Sequence, residues 1–311
     1  MSGTSVDVEV EGRALKLSNL DKVLYPATGF TKGQVIDYYT RVAPALLPHL
    51  RQRALTLKRY PNGVDSQFFY EKNCPKHRPP WVNTVGVFSS RTKTDVAYCV
   101  IDDLPAVVWV ANLAALELHT SLSASTDIEQ PTMVVFDLDP GAPATVVECS
   151  RVALWLRSVL GDLGLECFPK TSGSKGLQIY APLNTDGVTY GDTKPFAHAI
   201  ARMLESEHAD LVLSSMAKEL RKGKVFIDWS QNDISKTTVC AYSLRARERP
   251  TVSTPLSWDE VERVAETGDG TSVTFEAGAV LARVEKDGDL FAPVAELKQR
   301  LPKAPAAPGG G

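Results

Sequence analysis

The stretch Met133 to Pro140, Met-Val-Val-Phe-Asp-Leu-Asp-Pro, constrains this chain more than any other. Its apolar run reads as a buried strand, and alternate residues of a strand point to one face. Asp137 and Asp139 therefore project together at the strand's end. Two carboxylates about 4 Å apart repel by about 4 kcal/mol at an effective dielectric near 20. A fold that builds such a pair usually supplies a divalent cation, and Mg²⁺ or Mn²⁺ suits all-oxygen ligands. Asp228 closes a similar run, Lys224 to Asp228. Three strand-end carboxylates suggest a two-metal site for phosphoryl or nucleotidyl transfer. The plainer alternative is that the aspartates only cap the turn that follows.

The 311 residues suffice for one large core or two fused modules. With 43% apolar and 23% charged residues the composition is that of a soluble globular protein. No apolar run approaches the ~20 residues of a membrane span, and the N-terminus lacks the basic and apolar regions of a signal peptide. Cys74, Cys99, Cys149, Cys167 and Cys240 are scattered, with no CxxC pair. They read as reduced thiols of a cytoplasmic, nucleoid-associated protein without structural zinc. A net charge of −3 does not advertise a nucleic-acid binder, but its distribution is uneven. Arg13 to Arg59 holds nine basic residues against Asp21 and Asp37. Such a segment is either a phosphate-binding face or a scatter of solvated lysines.

Along the chain, Val6 to Leu17 reads as a hairpin around Glu11-Gly12. Thr31 with Gln34 signals a capping box for a helix to about Leu47, bent at Pro44. Residues 54–60, 66–72 and 96–101 look extended. Asp102 or Asp103 caps a helix expected to reach about Glu117. After the 133–139 strand come a helix over 144–162 and strands near 165–170 and 177–183. A helix near 193–207, strands near 224–229 and 238–243, and a short helix from Ser257 follow. The Ala/Pro/Gly-rich tail, 302–311, is expected to be disordered. Residues 1–301 read as one catalytic unit, with about 1–60 as a DNA-contacting N-terminal subdomain packed on it.

Ser172-Gly173-Ser174-Lys175-Gly176 lies between two strands. Its glycines allow φ > 0 and close backbone approach to an anion, with hydroxyls and Lys175 as donors. It lacks the Walker A spacing, and a polar hairpin turn reads equally well. His119 follows the apolar segment Leu113 to Leu118, where a satisfied helix C-terminal residue is the ordinary reading. Arg221 and Arg245 are unremarkable alone. Phe68-Phe69-Tyr70 reads more readily as core than as a base-stacking platform.

Joint order and spacing lift these pieces. Asp-Lys-Val-Leu-Tyr-Pro (21–26), Phe-Thr-Lys-Gly (30–33), Lys-Arg-Tyr-Pro-Asn-Gly-Val-Asp (58–65) and Phe-Tyr-Glu-Lys (69–72) come first. Leu-Glu-Leu-His (116–119), Phe-Asp-Leu-Asp-Pro (136–140) and Ser-Gly-Ser-Lys-Gly-Leu (172–177) follow. Arg-Lys-Gly-Lys-Val-Phe-Ile-Asp (221–228) and Ala-Tyr-Ser-Leu-Arg-Ala-Arg (241–247) complete the series. In that order they resemble the archaeo-eukaryotic primase superfamily, in its bacterial ligase-D-type polymerase branch.

The resemblance implies an α+β catalytic core of mixed or antiparallel sheet flanked by helices. It implies Asp137, Asp139 and Asp228 as ligands of two Mn²⁺ or Mg²⁺ ions. It assigns His119, Ser172, Lys175, Arg221 and Arg245 to the incoming nucleotide, with Asn232 as the polar residue beside the third carboxylate. Lys22 and Lys32 match residues that receive a 5′-phosphate across a gap or break. Phe69 and Tyr70 match an aromatic pair that stacks on template bases, and Lys58 and Arg59 basic residues near template or phosphate. The family usually has a histidine where this chain has Gln178, a strand residue expected to face the triphosphate. The implied activity is template-directed extension of a primer 3′-OH, with preference for ribonucleotides and short 5′-phosphorylated gaps, in end joining or gap-filling repair. Nucleoside triphosphates and gapped or broken DNA are the substrates, and Ku and a separate ligase the implied partners. No KxDG adenylation motif is present, so a free-standing polymerase, or else a fragment cut from a larger protein, is expected, the former being favoured. A haloacid-dehalogenase-type phosphatase, a glycosyltransferase or a non-catalytic DNA-end-binding module are the alternatives.

Overall fold

The computed structural model of the chain describes residues 4–89 and 92–303. The segment 304–311 of the tail lies outside the described residues. The architecture is α+β. Two compact units are each assembled from three stretches of chain. One contains the residues up to Ser121, Thr237–Ser253 and Phe275–Asp289; the other contains Leu122–Lys236, Thr254–Thr274 and the residues from Leu290. Residues 1–60 thus share the first unit with segments far away in sequence.

The first unit opens with the expected hairpin, Ser5–Val10 against Arg13–Ser18. Glu11 (φ 48°) and Gly12 (φ 76°) make the left-handed turn that such hairpins use. Thr31 caps the helix Lys32–Leu50 through a capping box with Gln34, and the helix runs on through Pro44 and Pro48. Its buried stripe includes Val35, Tyr39, Val42 and Leu46, none with measurable exposure. Burying each such side chain stabilises by about 1.5–3 kcal/mol. The main sheet orders Thr238–Val239, Ala115–Thr120, Leu55–Arg59, Thr94–Val100 and Asn83–Ser89, and Phe69–Glu71 also pairs with Leu55–Arg59.

Two expectations are corrected here. The helix begun at Asp103 stops at Asn112 instead of reaching Glu117. Ala114 turns left-handed (φ 56°), and Ala115–Thr120 becomes an inner strand. A run buried on both faces has no period to separate strand from helix. His119 accordingly sits on a strand, not at a helix end. Secondly, Cys74 and Cys99 form a disulfide, with Cα atoms 5.0 Å apart. The loop of Cys74 lies along the strand Thr94–Val100, its amide donating to Ala97 O at 2.6 Å. The 25-residue separation hides that approach from a reading by spacing. Cys149, Cys167 and Cys240 are free and buried.

The second unit holds a five-stranded sheet, in the order Phe168–Thr171, Leu177–Pro182, Met133–Pro140, Val225–Asp228, Val212–Leu213. All neighbours are antiparallel except the last pair. Val134, Phe136 and Leu138 have no exposure and anchor one face of the central strand. The pleat sends Asp137 and Asp139 to the other. Helices Val146–Asp162 and Tyr190–Glu207 pack on this sheet, and Ser257 caps the helix Trp258–Thr267 as expected. No described helix is long and apolar enough to cross a membrane.

Candidate active site

Strand register builds the centre of the second unit. Lys170 pairs with Gln178, Gln178 with Asp137, and Asp137 with Asp228, so one row of side chains crosses four strands. Directly opposed residues of antiparallel strands share a face. Asp139 stands two residues along the same face. Burial, then the charges of Asp139 and Asp228, push the Asp137 carboxyl up to about 7, against the lowering pull of the Gln178 amide and Lys170. Asp228 Oδ1 accepts from Ser230 N (3.0 Å) and Ser230 Oγ (2.6 Å), and its Oδ2 from Gln231 Nε2 (2.8 Å). The third aspartate therefore also caps the short turn that follows it.

Two glycines bring loops against the aspartate strand. A Cβ on Gly176 would stand 1.9 Å from Leu138 O, and one on Gly141 would stand 1.9 Å from Arg221 O. Only a residue without a side chain permits either approach. The Gly176 contact seats the loop whose Ser172 Oγ accepts from the amides of Ser174 and Gly176, both at 3.2 Å. Lys175 projects exposed from that loop. The Gly141 contact seats Arg221, whose guanidinium lies 3.9 Å from the Phe226 ring centre. Arg221 Nε is buried with no hydrogen-bond partner among the described residues. Asn232, fully buried, accepts from Val135 N at 2.9 Å and donates to Val135 O (2.7 Å) and Trp229 O (3.0 Å). Its amide clamps the segment after Asp228 onto the strand of Asp137. Gln178, expected against a triphosphate, is 4% exposed and stands in the row between Lys170 and Asp137.

The first unit carries a second charged centre, organised by Glu117, which is 2% exposed. Its carboxylate meets His119 Nε2 at 2.9 Å, Arg245 Nε and Lys58 Nζ at 3.4 Å, and accepts from Ala246 N at 3.1 Å. Burial alone would raise its pKa. The His119 hydrogen bond, with Arg245 and Lys58, holds it well below the usual carboxylate range instead. Burial, with Arg245 and Lys58, pushes the His119 imidazole below its ordinary value, against the pull of Glu117. Lys58 Nζ also lies 4.4 Å from the Phe68 ring centre and 5.5 Å from that of Tyr70. Arg59 pairs with Glu71 at 2.6 Å and lies 5.1 Å from the Phe69 ring centre. Phe68, Phe69 and Tyr70 are 43%, 42% and 57% exposed, so this triplet is surface rather than core. Glu117 and Lys170 are members of these clusters that the motif reading did not single out. Their signal lies in strand alternation and in pairings distant in sequence.

Elsewhere in the same unit, Lys22 Nζ donates to Asn62 Oδ1 at 2.8 Å beside a cavity of about 400 Å³ lined by Thr4, Asn19, Asp21 and Lys22. Lys32, at the first turn of its helix, is 5% exposed and donates to Ser18 O at 2.6 Å. Burial, then Lys22 and Arg59, lower its pKa to about 8.

The family model of the LigD primase-polymerase domain matches residues 31–291. The chain belongs to this family. A primase-polymerase domain is a template-directed nucleotidyltransferase, and that is the enzyme class of the chain. It is similar to the multifunctional non-homologous end joining protein LigD of Mycolicibacterium smegmatis, with 41% identity over 90% of this chain and 36% of the relative. It is 43% identical to the DNA repair protein LigD of Mycobacterium tuberculosis H37Rv, over 91% of this chain and 38% of that protein. The chain thus spans little more than a third of these relatives. Among solved structures it is similar to the polymerase domain of M. tuberculosis ligase D in complex with DNA. That match has a TM-score of 0.84 and 39% identity, covering 92% of this chain and 99% of the other. The LigD fold agrees with the α+β core expected from the motifs.

Proposed function

We propose that this primase-polymerase domain extends a primer 3′-OH opposite a template in DNA end joining or gap repair, and that Asp137, Asp139 and Asp228 hold its divalent cations. The observation that carries the reading is the row of carboxylates, in which Asp137 is raised to about 7 by burial and by its two acidic neighbours. An all-oxygen donor set of this kind fits Mg²⁺ or Mn²⁺. Among the described residues, no group of three or more His, Cys, Asp or Glu side chains stands together as a preformed metal cluster. When bound, such cations acidify the attacking 3′-OH and neutralise charge on the β- and γ-phosphates.

The chain's own residues supply the rest. In the second unit, the unpaired Nε of Arg221, the Ser172 hydroxyl and Lys175 are donors for a triphosphate. In the first unit, His119 and Arg245, held by Glu117, are assigned to an anionic nucleotide group. Asn232 serves the nucleotide indirectly, by fixing the backbone beside Asp228. Phe69 and Tyr70, with Phe68, offer stacking faces for template bases, and Lys58 and Arg59 the adjoining positive charge. Lys22 and Lys32 are assigned to the 5′-phosphate beyond the gap. The new 3′-O–Pα bond replaces the Pα–O–Pβ bond, and pyrophosphate leaves. Ribonucleotide preference, and Ku and a ligase as partners, belong to the same proposal.

Primer extension on a gapped duplex tests it, with Mn²⁺ or Mg²⁺, ribo- or deoxynucleotides, and a downstream 5′-phosphate or 5′-hydroxyl. Template-matched extension that requires the metal and improves with the 5′-phosphate is the expected result. Metal-independent binding of gapped DNA with no incorporation would overturn it in favour of an end-binding module.

A further inference from the structure

Lys170 is the most deeply buried cation in the described second unit, with no measurable exposure, on the edge strand of the sheet that carries Asp137. Lysine is almost never fully buried unless paired. Its ammonium donates to Gln178 Oε1 at 2.6 Å, and the Tyr180 hydroxyl donates to the same oxygen at 3.4 Å. The ammonium also lies 5.4 Å from the Tyr180 ring centre. A protonated lysine has three donors and no acceptor. It can face only the carbonyl end of the Gln178 amide, so the NH₂ end is turned the other way. The register sets Asp137 on that other side, directly opposite Gln178, and the Gln178 amide is among the groups that favour the charged form of Asp137. With its carbonyl end held by Lys170, the amide can present only its NH₂ donors to that carboxylate. One side of Asp137 thus faces a neutral donor, and its other lone pairs are left for a cation.

We propose that Lys170 is a positioning residue for the metal site: by locking the Gln178 amide it fixes the carboxylate of Asp137 in the orientation that accepts a divalent cation. The inference rests on the assignment of Asp137, Asp139 and Asp228 as metal ligands. It gives Gln178 a role in the row that differs from contact with a triphosphate. It also explains why a charged residue occupies an apolar edge-strand position. A neutral side chain there, such as serine or glutamine, could accept as well as donate and would leave the amide free to flip.

Two effects of removing the charge have opposite signs. Through space, an ammonium near the carboxylates repels a divalent cation, so Lys170→Met would tighten metal binding if Lys170 acted by its field alone. Through Gln178, loss of the lock disorders a ligand. Groups that orient metal ligands from behind typically contribute 10- to 100-fold in affinity. The proposal is that the second effect wins.

The test is titration of the full chain with Mn²⁺ alone, read by the free-ion electron paramagnetic resonance signal. Asp139→Asn, Lys170→Met, Gln178→Met and the double variant are compared, and circular dichroism melts confirm folding. Lys170→Met and Gln178→Met should each weaken Mn²⁺ binding about 10-fold. The double variant should be no weaker than either single, because both changes break one chain of contacts. Lys170→Met leaves the Tyr180 hydroxyl as a donor to Gln178 Oε1, so a lowered melting temperature with the fold retained is expected. Unchanged or tighter Mn²⁺ binding in folded Lys170→Met overturns the inference. So does a double variant that loses the product of the two single effects. If Lys170→Met alone fails to fold, the double variant against Gln178→Met decides by the same criterion. Unchanged binding in Asp139→Asn overturns the metal-site reading itself, and the inference with it. Weakened binding in Asp139→Asn with none in Lys170→Met overturns the inference alone.

Discussion

Replacing Glu117 by glutamine removes the negative charge at the centre of a buried cationic cluster while keeping its shape. The carboxylate now meets His119 at 2.9 Å and Lys58 and Arg245 at 3.4 Å each. Removing one member of a buried ion pair costs about 3–5 kcal/mol, because the partner charge stays buried. Two features reduce the figure. Lys58 and Arg245 keep 14% and 15% side-chain exposure, so water screens part of the loss. The glutamine also retains an oxygen for the Ala246 amide. A loss of about 2–3 kcal/mol is expected, or roughly 3–5 °C in melting temperature for a chain of this length. The pH dependence identifies the cause. The Glu117 pKa is depressed in the folded chain, so its contribution is complete above the unfolded value near 4.5 and is lost as pH falls further. His119 does not reverse this above pH 4.5, since the variant also lacks the acceptor that supports its protonated form. Calorimetry of both proteins at pH 7 should show the full gap, and below pH 4.5 the gap should narrow. A gap that is absent at pH 7, or constant down to pH 3, would refute the electrostatic account.

Asp137→Asn, Asp139→Asn and Asp228→Asn should each cut single-turnover primer extension by roughly 100-fold or more, with gapped-DNA binding in gel shifts unchanged. Near-wild-type extension by any one of them removes that residue from the metal site. Lys32, with a pKa of about 8, should give a 5′-phosphate preference that declines between pH 7 and pH 9 as the ammonium loses its proton. Bound phosphate favours the ammonium and shifts the decline upward; a preference constant across that range, or intact in Lys22→Ala/Lys32→Ala, counts against the assignment. Gly176→Ala, whose Cβ would meet Leu138 O at 1.9 Å, should destabilise by about 3 kcal/mol in urea denaturation. Gly161→Ala, in a helix with nothing within 4 Å of the new Cβ, should stabilise by up to about 1 kcal/mol.

The sequence made the capping box at Thr31, the helix start near Ser257, the Glu11-Gly12 turn and the Asp137 strand legible, because each depends on neighbours within a few residues. It misjudged Ala115–Thr120, whose alternating Glu117 and His119 lie buried or half-buried among apolar neighbours, and joined its start to the preceding helix. It also missed the Cys74–Cys99 bond, which depends on how a loop lies against a strand. The same distinction holds at the site. Asp137, Asp139 and Asp228 announce themselves as strand ends. Glu117 and Lys170 do not, since an acid in Leu-Glu-Leu-His and a lysine before Thr-Ser-Gly become informative only once register sets their partners beside them. Gln178 is expected at the triphosphate from the resemblance and from its place just past the Ser172 loop, and strand pairing adds that it stands opposite Asp137.

The interleaving of the two units bears on synthesis. The first unit draws its last segment from Phe275–Asp289, and the second draws on residues beyond Leu290. Neither set of contacts closes until residue 275 or later has left the ribosome. At about 5–20 residues per second, the Glu117 cluster waits through more than a hundred further residues for Arg245. During those seconds its acid and its cations are unpaired, and the strand Ala115–Thr120 presents an open edge where Thr238–Val239 will dock. A ribosome stalled anywhere before residue 275 therefore carries two incomplete units rather than one finished domain.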